Sequence, residues 1–266
     1  MAKRETVSVN GIDISYLRSG DGSPLVMLHG IGGNATQFQH QFDDLAGDWT
    51  LIAWDAPGYG GSGDPGSEWL MVDYAAALAG LLDSLDLDRV TLLGQSWGGV
   101  LAQTFIGRYP ERVQALVLSD TSLGGRSQPE DARLASLNAR LSALDTMTPA
   151  KLAAARAPAI LGPTPTSATL REAEAMMAQI RPDGYRRAAI ALAEADTRSI
   201  HAGIDVPTLI LTGEHDGIIP PNTAATLQAA IPGAHLVTLA GVGHLSGQED
   251  PATYNAALRT FLERAT

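Results

Sequence analysis

The stretch VTLLGQSWGGVLAQ, residues 90–103, decides the fold of this chain. Its first half is a short run of aliphatic residues, which predicts a buried strand. The strand pattern breaks at Gly94, and after Gly98 apolar residues recur at helical spacing, which predicts a helix that ends near Tyr109. A sharp turn between strand and helix strains the backbone, and the glycines remove Cβ atoms that would clash there. Ser96 is therefore predicted to lie at a tight strand-to-helix turn.

A serine within Gly-x-Ser-x-Gly, between a strand and a helix, is typical of a hydrolytic nucleophile. The turn lifts the hydroxyl group clear of the sheet. It also directs the free N–H groups of the following helix toward the place where negative charge develops. The five-residue motif alone occurs by chance in many chains, so the interpretation depends on the strand and the helix that flank it. We predict that Ser96 is a catalytic nucleophile.

The rest of the chain alternates between strands and helices. Two short strands within residues 6–18 turn at Asn10-Gly11, which is a hairpin signal. Further strands are predicted at residues 24–29, 50–53, 113–119, 207–212 and 235–239. Helices are predicted at residues 36–46, from an N-cap at Asp73 to Leu85, after Pro220-Pro221, and at residues 251–264. This alternation predicts an α/β fold with a mostly parallel sheet of about eight strands and helices on both faces.

The alternation stops at residues 122–200, which contain many alanines and leucines but no convincing strand. We predict that this segment is a helical cap, inserted over the carboxyl edge of the sheet into a core of residues 1–121 and 201–266. The cap carries ten cations and eight acids, whereas the whole chain has a net charge of −11. These charges are interpreted as ordinary solvated helix faces, and the alternative is that the segment meets an anionic substrate. The apolar side chains of the cap are expected to line a substrate pocket, in which a few arginines are available for a carboxylate.

Composition excludes several classes of partner. The acidic net charge argues against nucleic acid and anionic membranes. The chain has no cysteine, which excludes disulfides and Cys-based metal sites, and we expect no metal or cofactor. The start of the chain has no apolar segment behind its two cations, and no apolar run is long enough to cross a membrane. A cytoplasmic protein is therefore expected, as a monomer or a homo-oligomer.

Ligands of open α/β sheets bind beyond the carboxyl ends of the strands. A serine nucleophile there needs a general base, and the base needs an acid that holds its tautomer. His244 is predicted as the base and Asp216 as the acid, in the chain order expected for this arrangement. Asp120 also follows a strand and is the alternative acid. Because Thr121 and Ser122 could satisfy its carboxylate locally, Asp120 is interpreted as structural.

A tetrahedral oxyanion needs two N–H donors held in place before the reaction. The residue after the nucleophile, Trp97, is predicted to give one. The loop after the strand at residues 24–29 gives the other, from Ile31 or, as the alternative, from Gly32. His29 is interpreted as structural support for that loop, and His215 is predicted to point away from the site.

Together these motifs resemble those of the α/β-hydrolase fold over essentially the full chain. The resemblance rests on HGIGG at residues 29–33, DAPGYGGS at residues 55–62, the turn at Ser96, GEHDG at residues 213–217 and Gly243-His244. Within that fold, residues 180–185, 196–198, 231–234 and 244–246 resemble the 3-oxoadipate enol-lactonases. The His29-Gly30 pair and Trp97 depart from the enol-lactonase pattern.

The resemblance implies a serine hydrolase that cleaves a small carboxylic ester or lactone through an acyl-enzyme. Hydrolysis of a C–C bond in ring-cleavage products is an alternative that uses the same three residues. An alternative from another class is a non-catalytic ligand receptor on the same fold. Because a general-base histidine must be neutral, activity is expected to rise with pH through one ionisation near neutrality.

Overall fold

The computed structural model describes residues 2–220 and 222–265; Met1, Pro221 and Thr266 lie outside the described residues. Eight strands form one sheet, and they are β1 Lys3–Val9, β2 Ile12–Ser19, β3 Pro24–Leu28, β4 Thr50–Trp54, β5 Val90–Gln95, β6 Val113–Ser119, β7 Thr208–Gly213 and β8 His235–Leu239. Their spatial order is β1-β2-β4-β3-β5-β6-β7-β8. Strand β2 pairs antiparallel with β1 and with β4, and all other neighbouring pairs are parallel. The predicted α/β fold with a mostly parallel sheet is confirmed.

Ten α-helices lie in the described ranges: α1 Gln39–Leu45, α2 Met71–Ser84, α3 Trp97–Arg108, α4 Glu130–Thr146, α5 Pro149–Ile160, α6 Ser167–Met177, α7 Pro182–Glu194, α8 Thr223–Ala230, α9 Ser246–Glu249 and α10 Pro251–Ala265. None of the helices in this part of the chain is both long and apolar enough to cross a bilayer. The helix predicted after Pro220-Pro221 is α8, although Pro221 itself is outside the description.

Two predicted helix starts were wrong in detail. Residues 36–46 form a 3₁₀ turn, Ala35–Phe38, followed by α1, because the Asn34 side chain caps the N–H of Thr36 and begins the turn earlier. Asp73 is not the N-cap of α2 but its third residue. Its carboxylate reaches back to accept the N–H of Leu70 at 2.7 Å, so it stabilises the helix start from inside the first turn.

The sheet divides the apolar core into two layers. Alternate residues of β3 belong to different layers, with Leu25 and Met27 on one face and Val26 and Leu28 on the other. These four side chains are 0% exposed, and burying each stabilises the fold by about 1.5–3 kcal/mol. The side chains that pack on the Leu25 face come mainly from α1 and α10, whereas α2, α3 and the helices between β6 and β7 pack on the other.

The chain between β6 and β7 contains α4–α7 and, in the described residues, no strand. Helix α7 packs against the core loop 55–62 at a point where two backbones touch. A Cβ atom on Gly184 would lie 2.0 Å from the carbonyl oxygen of Gly58, so a larger residue at Gly184 would displace the helix. Helix α4 has no fully buried residue. The exact division into a core, residues 1–121 and 201–266, and a cap, residues 122–200, stays a prediction.

Backbone contact fixes the turn between β5 and α3. Ser96 has φ 55° and ψ −115°, a conformation that costs energy for a residue with a side chain. A Cβ atom on Gly94 would lie 2.2 Å from the carbonyl oxygen of Gly98, and one on Gly98 would lie 2.2 Å from that of Leu28. The absence of these two Cβ atoms lets α3 start directly against the sheet.

We therefore expect Gly94→Ala to lower the free energy of unfolding by about 1–3 kcal/mol or more, because backbone atoms must move to admit the methyl group. The matched control is Gly203→Ala, whose Cβ would meet nothing within 4 Å and should change stability by less than about 0.5 kcal/mol. Urea unfolding of both variants measures the difference. Equal stability of the two variants would contradict the steric account of the turn.

Candidate active site

Three predicted side chains form one hydrogen-bonded line. The Nε2 atom of His244 lies 2.9 Å from the hydroxyl oxygen of Ser96. Its other ring nitrogen, Nδ1, lies 2.9 Å from Oδ2 of Asp216. The His244 and Asp216 side chains are only 7% and 4% exposed. A serine, an imidazole and a carboxylate in this order can move the hydroxyl proton to the imidazole and stabilise the resulting charge.

The ends of three parallel strands carry these residues. Ser96 follows β5, Asp216 lies three residues after β7, and His244 follows β8. In the loop after β7, Oδ1 of Asp216 accepts the N–H groups of Ile218 at 2.8 Å and Ile219 at 3.1 Å. These bonds leave Oδ2 directed at the imidazole. The sequence GEHDG at residues 213–217 thus forms the turn and orients the Asp216 carboxylate.

Two backbone N–H groups are available beside Ser96. Ile31 and Trp97 both line the cavity at the serine, and within the described residues neither N–H group has a hydrogen-bond partner. The carbonyl of Gly30 accepts from Gly33 N at 2.9 Å and is 2.8 Å from Nδ1 of His29. Because C=O and N–H of a trans peptide point in opposite directions, these bonds aim the Ile31 N–H away from them.

His29 holds this loop as a neutral donor and acceptor. Its Nε2 accepts the N–H of Ala56 at 3.1 Å, which leaves the proton on Nδ1 for the carbonyl of Gly30. Complete burial lowers the pKa of His29, so the uncharged form is favoured. This geometry supports the interpretation of His29 as a structural residue. The Gly32 N–H, the alternative donor, belongs to a peptide whose carbonyl accepts the Tyr59 hydroxyl at 3.0 Å.

Ser96 opens into a cavity of about 260 Å³ between the sheet edge and helices α4–α7. Its apolar wall includes Leu137, Ile160, Met176, Met177 and Leu192, as the composition of residues 122–200 predicts. Three arginines also line it. Arg133 pairs with Glu194 at 2.5 Å, whereas Arg140 and Arg156 have no acidic partner among residues 2–220 and 222–265.

Sequence reasoning missed two glutamines that connect the loops of the site. Gln95 donates to the carbonyl of His244 at 2.8 Å and accepts from Gln37 at 3.2 Å. Gln37 makes that bond with its amide nitrogen, and its Oε1 accepts the N–H of Gly30 at 3.1 Å, in the loop at residues 29–33. The only signal for Gln95 was a polar residue at the end of an otherwise apolar strand. Gln37 gave no signal, because a glutamine on a predicted helix is ordinarily solvated.

Glu249 was also missed. Its carboxylate accepts the N–H groups of Gly243 at 2.9 Å and Leu245 at 3.2 Å on either side of His244, and that of Gly162 at 2.6 Å. Partial burial raises the pKa of Glu249. The N–H of His244 itself donates to the carbonyl of Ile160 at 2.8 Å. The histidine loop is therefore joined to the segment that follows α5.

Asp120 does not contact His244, but the reason given from the sequence was wrong. Its carboxylate does not bind the hydroxyls of Thr121 or Ser122. It accepts from the N–H of Gly213 at 2.9 Å and from Ser246 Oγ at 2.6 Å. Asp120 is fully enclosed because β7 and the histidine loop both pack over the end of β6. The local turn chemistry could not reveal these two partners, which are distant in sequence.

The other polar residues predicted at this edge lie outside the reacting line. His215 is about half exposed and lies 3.7 Å from Glu214. Asp55 is 0% exposed and accepts the N–H groups of Ala35 and Gly61, so it shapes the loops behind the site. Within the described part of the chain, no cluster of His, Cys, Asp or Glu is grouped so that it could hold a metal ion.

The family model of the alpha/beta hydrolase fold matches residues 23–251 of this chain. The chain belongs to that family. The matched range includes Ser96, Asp216 and His244, and the eight-stranded sheet agrees with the family's fold. The α/β-hydrolase fold indicated by the motifs is therefore confirmed.

Relatives of this alpha/beta hydrolase include enzymes of known activity. The chain is 33% identical to the poly(3-hydroxyalkanoate) depolymerase of Ectopseudomonas oleovorans, over 80% of this chain and 75% of that protein. It is 26% identical to 3-oxoadipate enol-lactonase 2 of Acinetobacter baylyi, over 98% of this chain and 97% of that protein. A thermophilic esterase from Thermogutta terrifontis, solved with malate bound, superposes with a TM-score of 0.91 at 25% identity over 99% of both chains.

The geometry predicts which acid supports the histidine. Asp216→Asn should leave the fold intact and lower kcat by about 10⁴, because the imidazole would be held in the wrong tautomer. Asp120→Asn, made and assayed under the same conditions, should lower kcat less than tenfold. Ester hydrolysis at saturating substrate measures both, with circular dichroism as the check on folding. A larger loss in Asp120→Asn would exchange the roles of the two acids.

Proposed function

We propose that this alpha/beta hydrolase cleaves small carboxylic esters or lactones through an acyl-enzyme on Ser96. The observation that carries the proposal is the pair of 2.9 Å contacts that joins Ser96 to His244 and His244 to Asp216 at the floor of a cavity. Relatives that act on esters and on an enol-lactone support the same reaction class.

In the first half-reaction His244 takes the hydroxyl proton while Ser96 Oγ attacks the carbonyl carbon of the substrate. The carbonyl oxygen gains the negative charge, which the N–H groups of Ile31 and Trp97 stabilise. The tetrahedral intermediate collapses, the C–O bond to the alcohol breaks, and the imidazolium returns the proton to the leaving oxygen. Water then attacks the acyl-enzyme by the same steps and releases the acid. A lactone opens in the same way, with both products on one molecule.

The substrate is proposed to carry a carboxylate. Arg140 and Arg156 are half-buried in the cavity wall and lack acidic partners in the described residues, whereas the third arginine there, Arg133, is paired. Arg140 donates a long hydrogen bond to the Tyr185 hydroxyl at 3.4 Å. A partly desolvated guanidinium without an acidic partner would bind an anion favourably, since a hydrogen bond to a charged group contributes about 1.5–3 kcal/mol.

Turnover of a chromogenic ester tests the reaction class. p-Nitrophenyl butyrate should be turned over continuously, with a burst of about one p-nitrophenol per protein where water attack on the acyl-enzyme is slower than acylation. Ser96→Ala should keep the fold and lower kcat by on the order of 10⁶. A variant that retains a tenth of the wild-type rate would remove Ser96 from the mechanism. A single slow equivalent without turnover would favour the receptor alternative.

A comparison of an anionic with a neutral substrate tests the proposed binding of a carboxylate by Arg140 and Arg156. Mono-p-nitrophenyl glutarate and p-nitrophenyl butyrate offer an anionic and a neutral acyl chain of similar size. In Arg140→Gln and in Arg156→Gln, kcat/KM for the glutarate ester should fall about tenfold, the equivalent of roughly 1.4 kcal/mol, while the butyrate changes less than twofold. Arg171→Gln is the control, since Arg171 is exposed and outside the cavity lining. Equal losses for both esters would contradict a carboxylate subsite.

A further inference from the structure

Asp120 is a buried acid without a cation. It is 1% exposed, and none of the ion pairs among residues 2–220 and 222–265 includes it. Its carboxyl group is surrounded by donors instead. Oδ1 accepts the N–H of Gly213 at 2.9 Å, and Oδ2 lies 2.6 Å from Ser246 Oγ and 3.0 Å from Ser119 Oγ. The hydrolytic mechanism above gives this group no task.

Two of these partners belong to the loops that carry the acid and the base. Gly213 ends β7 three residues before Asp216, whose N–H donates to the Gly213 carbonyl at 3.2 Å. Ser246 begins α9 two residues after His244. One carboxyl group therefore bridges the loop that holds Asp216 and the loop that holds His244.

The neighbours of Asp120 complete the connection to the nucleophile. The carbonyl of Ser119 accepts the N–H of Ser96 at 2.9 Å. The hydroxyl of Thr121 donates to the carbonyl of Ser96 at 2.7 Å. Asp120 itself has φ 44°, a conformation outside the regular strand, and its N–H donates to the Leu211 carbonyl at 2.9 Å. The consecutive residues 119–121 thus contact the loops that carry Ser96, Asp216 and His244.

We propose that Asp120 is a positioning residue, whose carboxyl group holds the Asp216 loop and the His244 loop at the separation that proton transfer from Ser96 requires. The inference rests on the proposed hydrolytic function and goes beyond it, because Asp120 touches neither substrate nor the reacting atoms. A misplacement of about 1 Å in such a line can cost 10²-fold in rate, which makes a rigid bridge between the two loops significant.

The charge of Asp120 also acts on His244. Burial raises the pKa of Asp120 to about 7, because the enclosed carboxylate is poorly solvated. The titratable groups that face it are His244, Asp216 and Tyr254, whose own pKa is raised by burial in α10. The interaction with a charged His244 favours the ionised form of Asp120. Asp120→Asn therefore removes an ionisation near pH 7 from the neighbourhood of the reacting atoms, and the pH profile of kcat/KM should change.

The variants separate position from charge. Asp120→Asn keeps an acceptor for the Gly213 N–H and gains a donor for Ser246 Oγ, so kcat should fall less than tenfold, while the ionisation of Asp120 near pH 7 is lost from the pH profile of kcat/KM. Asp120→Ala loses both bonds, and its kcat should fall about 10²-fold with KM within twofold. The kcat of Ser246→Ala should be about tenfold lower than that of the wild type. In the double variant with Asp120→Ala, the Ser246 change should lower kcat little further, because both changes break the same bridge.

A measurement without turnover separates this proposal from the proposed function. At one fixed pH, the ring resonances of His244 in the resting protein, followed by NMR, should broaden in Asp120→Ala but not in Asp120→Asn, because only the alanine variant loses the bridge between the two loops. The control variants are Asp83→Asn, which breaks a surface ion pair, and Ser84→Ala, which removes an exposed hydroxyl bond. Both should leave the His244 resonances and kcat unchanged.

The outcomes decide the inference in each case. An inactive wild type would refute the proposed function, whereas His244 ring resonances that are as sharp in Asp120→Ala as in the wild type would refute the bridge between the two loops. If Ser96→Ala is inactive but both Asp120 variants match the wild type in kcat and pH profile, the positioning role is wrong. If Asp120→Ala does not fold, Asp120→Asn and Ser246→Ala decide by the same criteria. A loss in Asp120→Asn as large as in Asp216→Asn would also overturn the proposal.

Discussion

The close approach of β5 and α3 is the constraint on which the remaining structure depends. At Gly94 and Gly98 no Cβ atom separates the strand from the first turn of the helix, and Ser96 is held at φ 55° between them. The strain is local, but the contacts that maintain it extend to the end of β6. The N–H of Ser96 donates to the carbonyl of Ser119, which ends β6, and the carbonyl of Ser96 accepts the hydroxyl of Thr121, which follows it. A hydroxyl fixed in this way needs no rearrangement before it reacts.

Side-chain hydrogen bonds join the loops around Ser96 to one another. Gln37 and Gln95 connect the loop at residues 29–33 to the histidine loop, and the carboxyl groups of Glu249 and Asp120 bind the histidine loop on its other sides. In a buried setting such a network is strong when every member has a partner. The cavity above it has a largely apolar wall, and we propose that Arg140 and Arg156, which have no acidic partner in the described residues, select substrates that carry a carboxylate.

Much of the fold was predictable because its signals are local. The hairpin at Asn10-Gly11, the apolar strands and the glycines beside Ser96 each follow from a few adjacent residues. The chain order of Ser96, Asp216 and His244 then indicated which residues meet. What failed was long-range. The partners of Asp120 lie 93 and 126 positions away, and Gln37 reaches Gln95 across 58 positions. No adjacent residue reports such contacts, since only the packed loops create them.

Labelling with a fluorophosphonate tests most directly whether Ser96 is activated by His244. The reagent forms a covalent bond with a serine oxygen only where a base removes its proton, and peptide mass spectrometry identifies the modified residue. The account predicts one adduct per protein, on the peptide that contains Ser96, lost in Ser96→Ala and strongly slowed in His244→Ala. An adduct on another residue, or ester hydrolysis that continues in a protein fully labelled at Ser96, would contradict it.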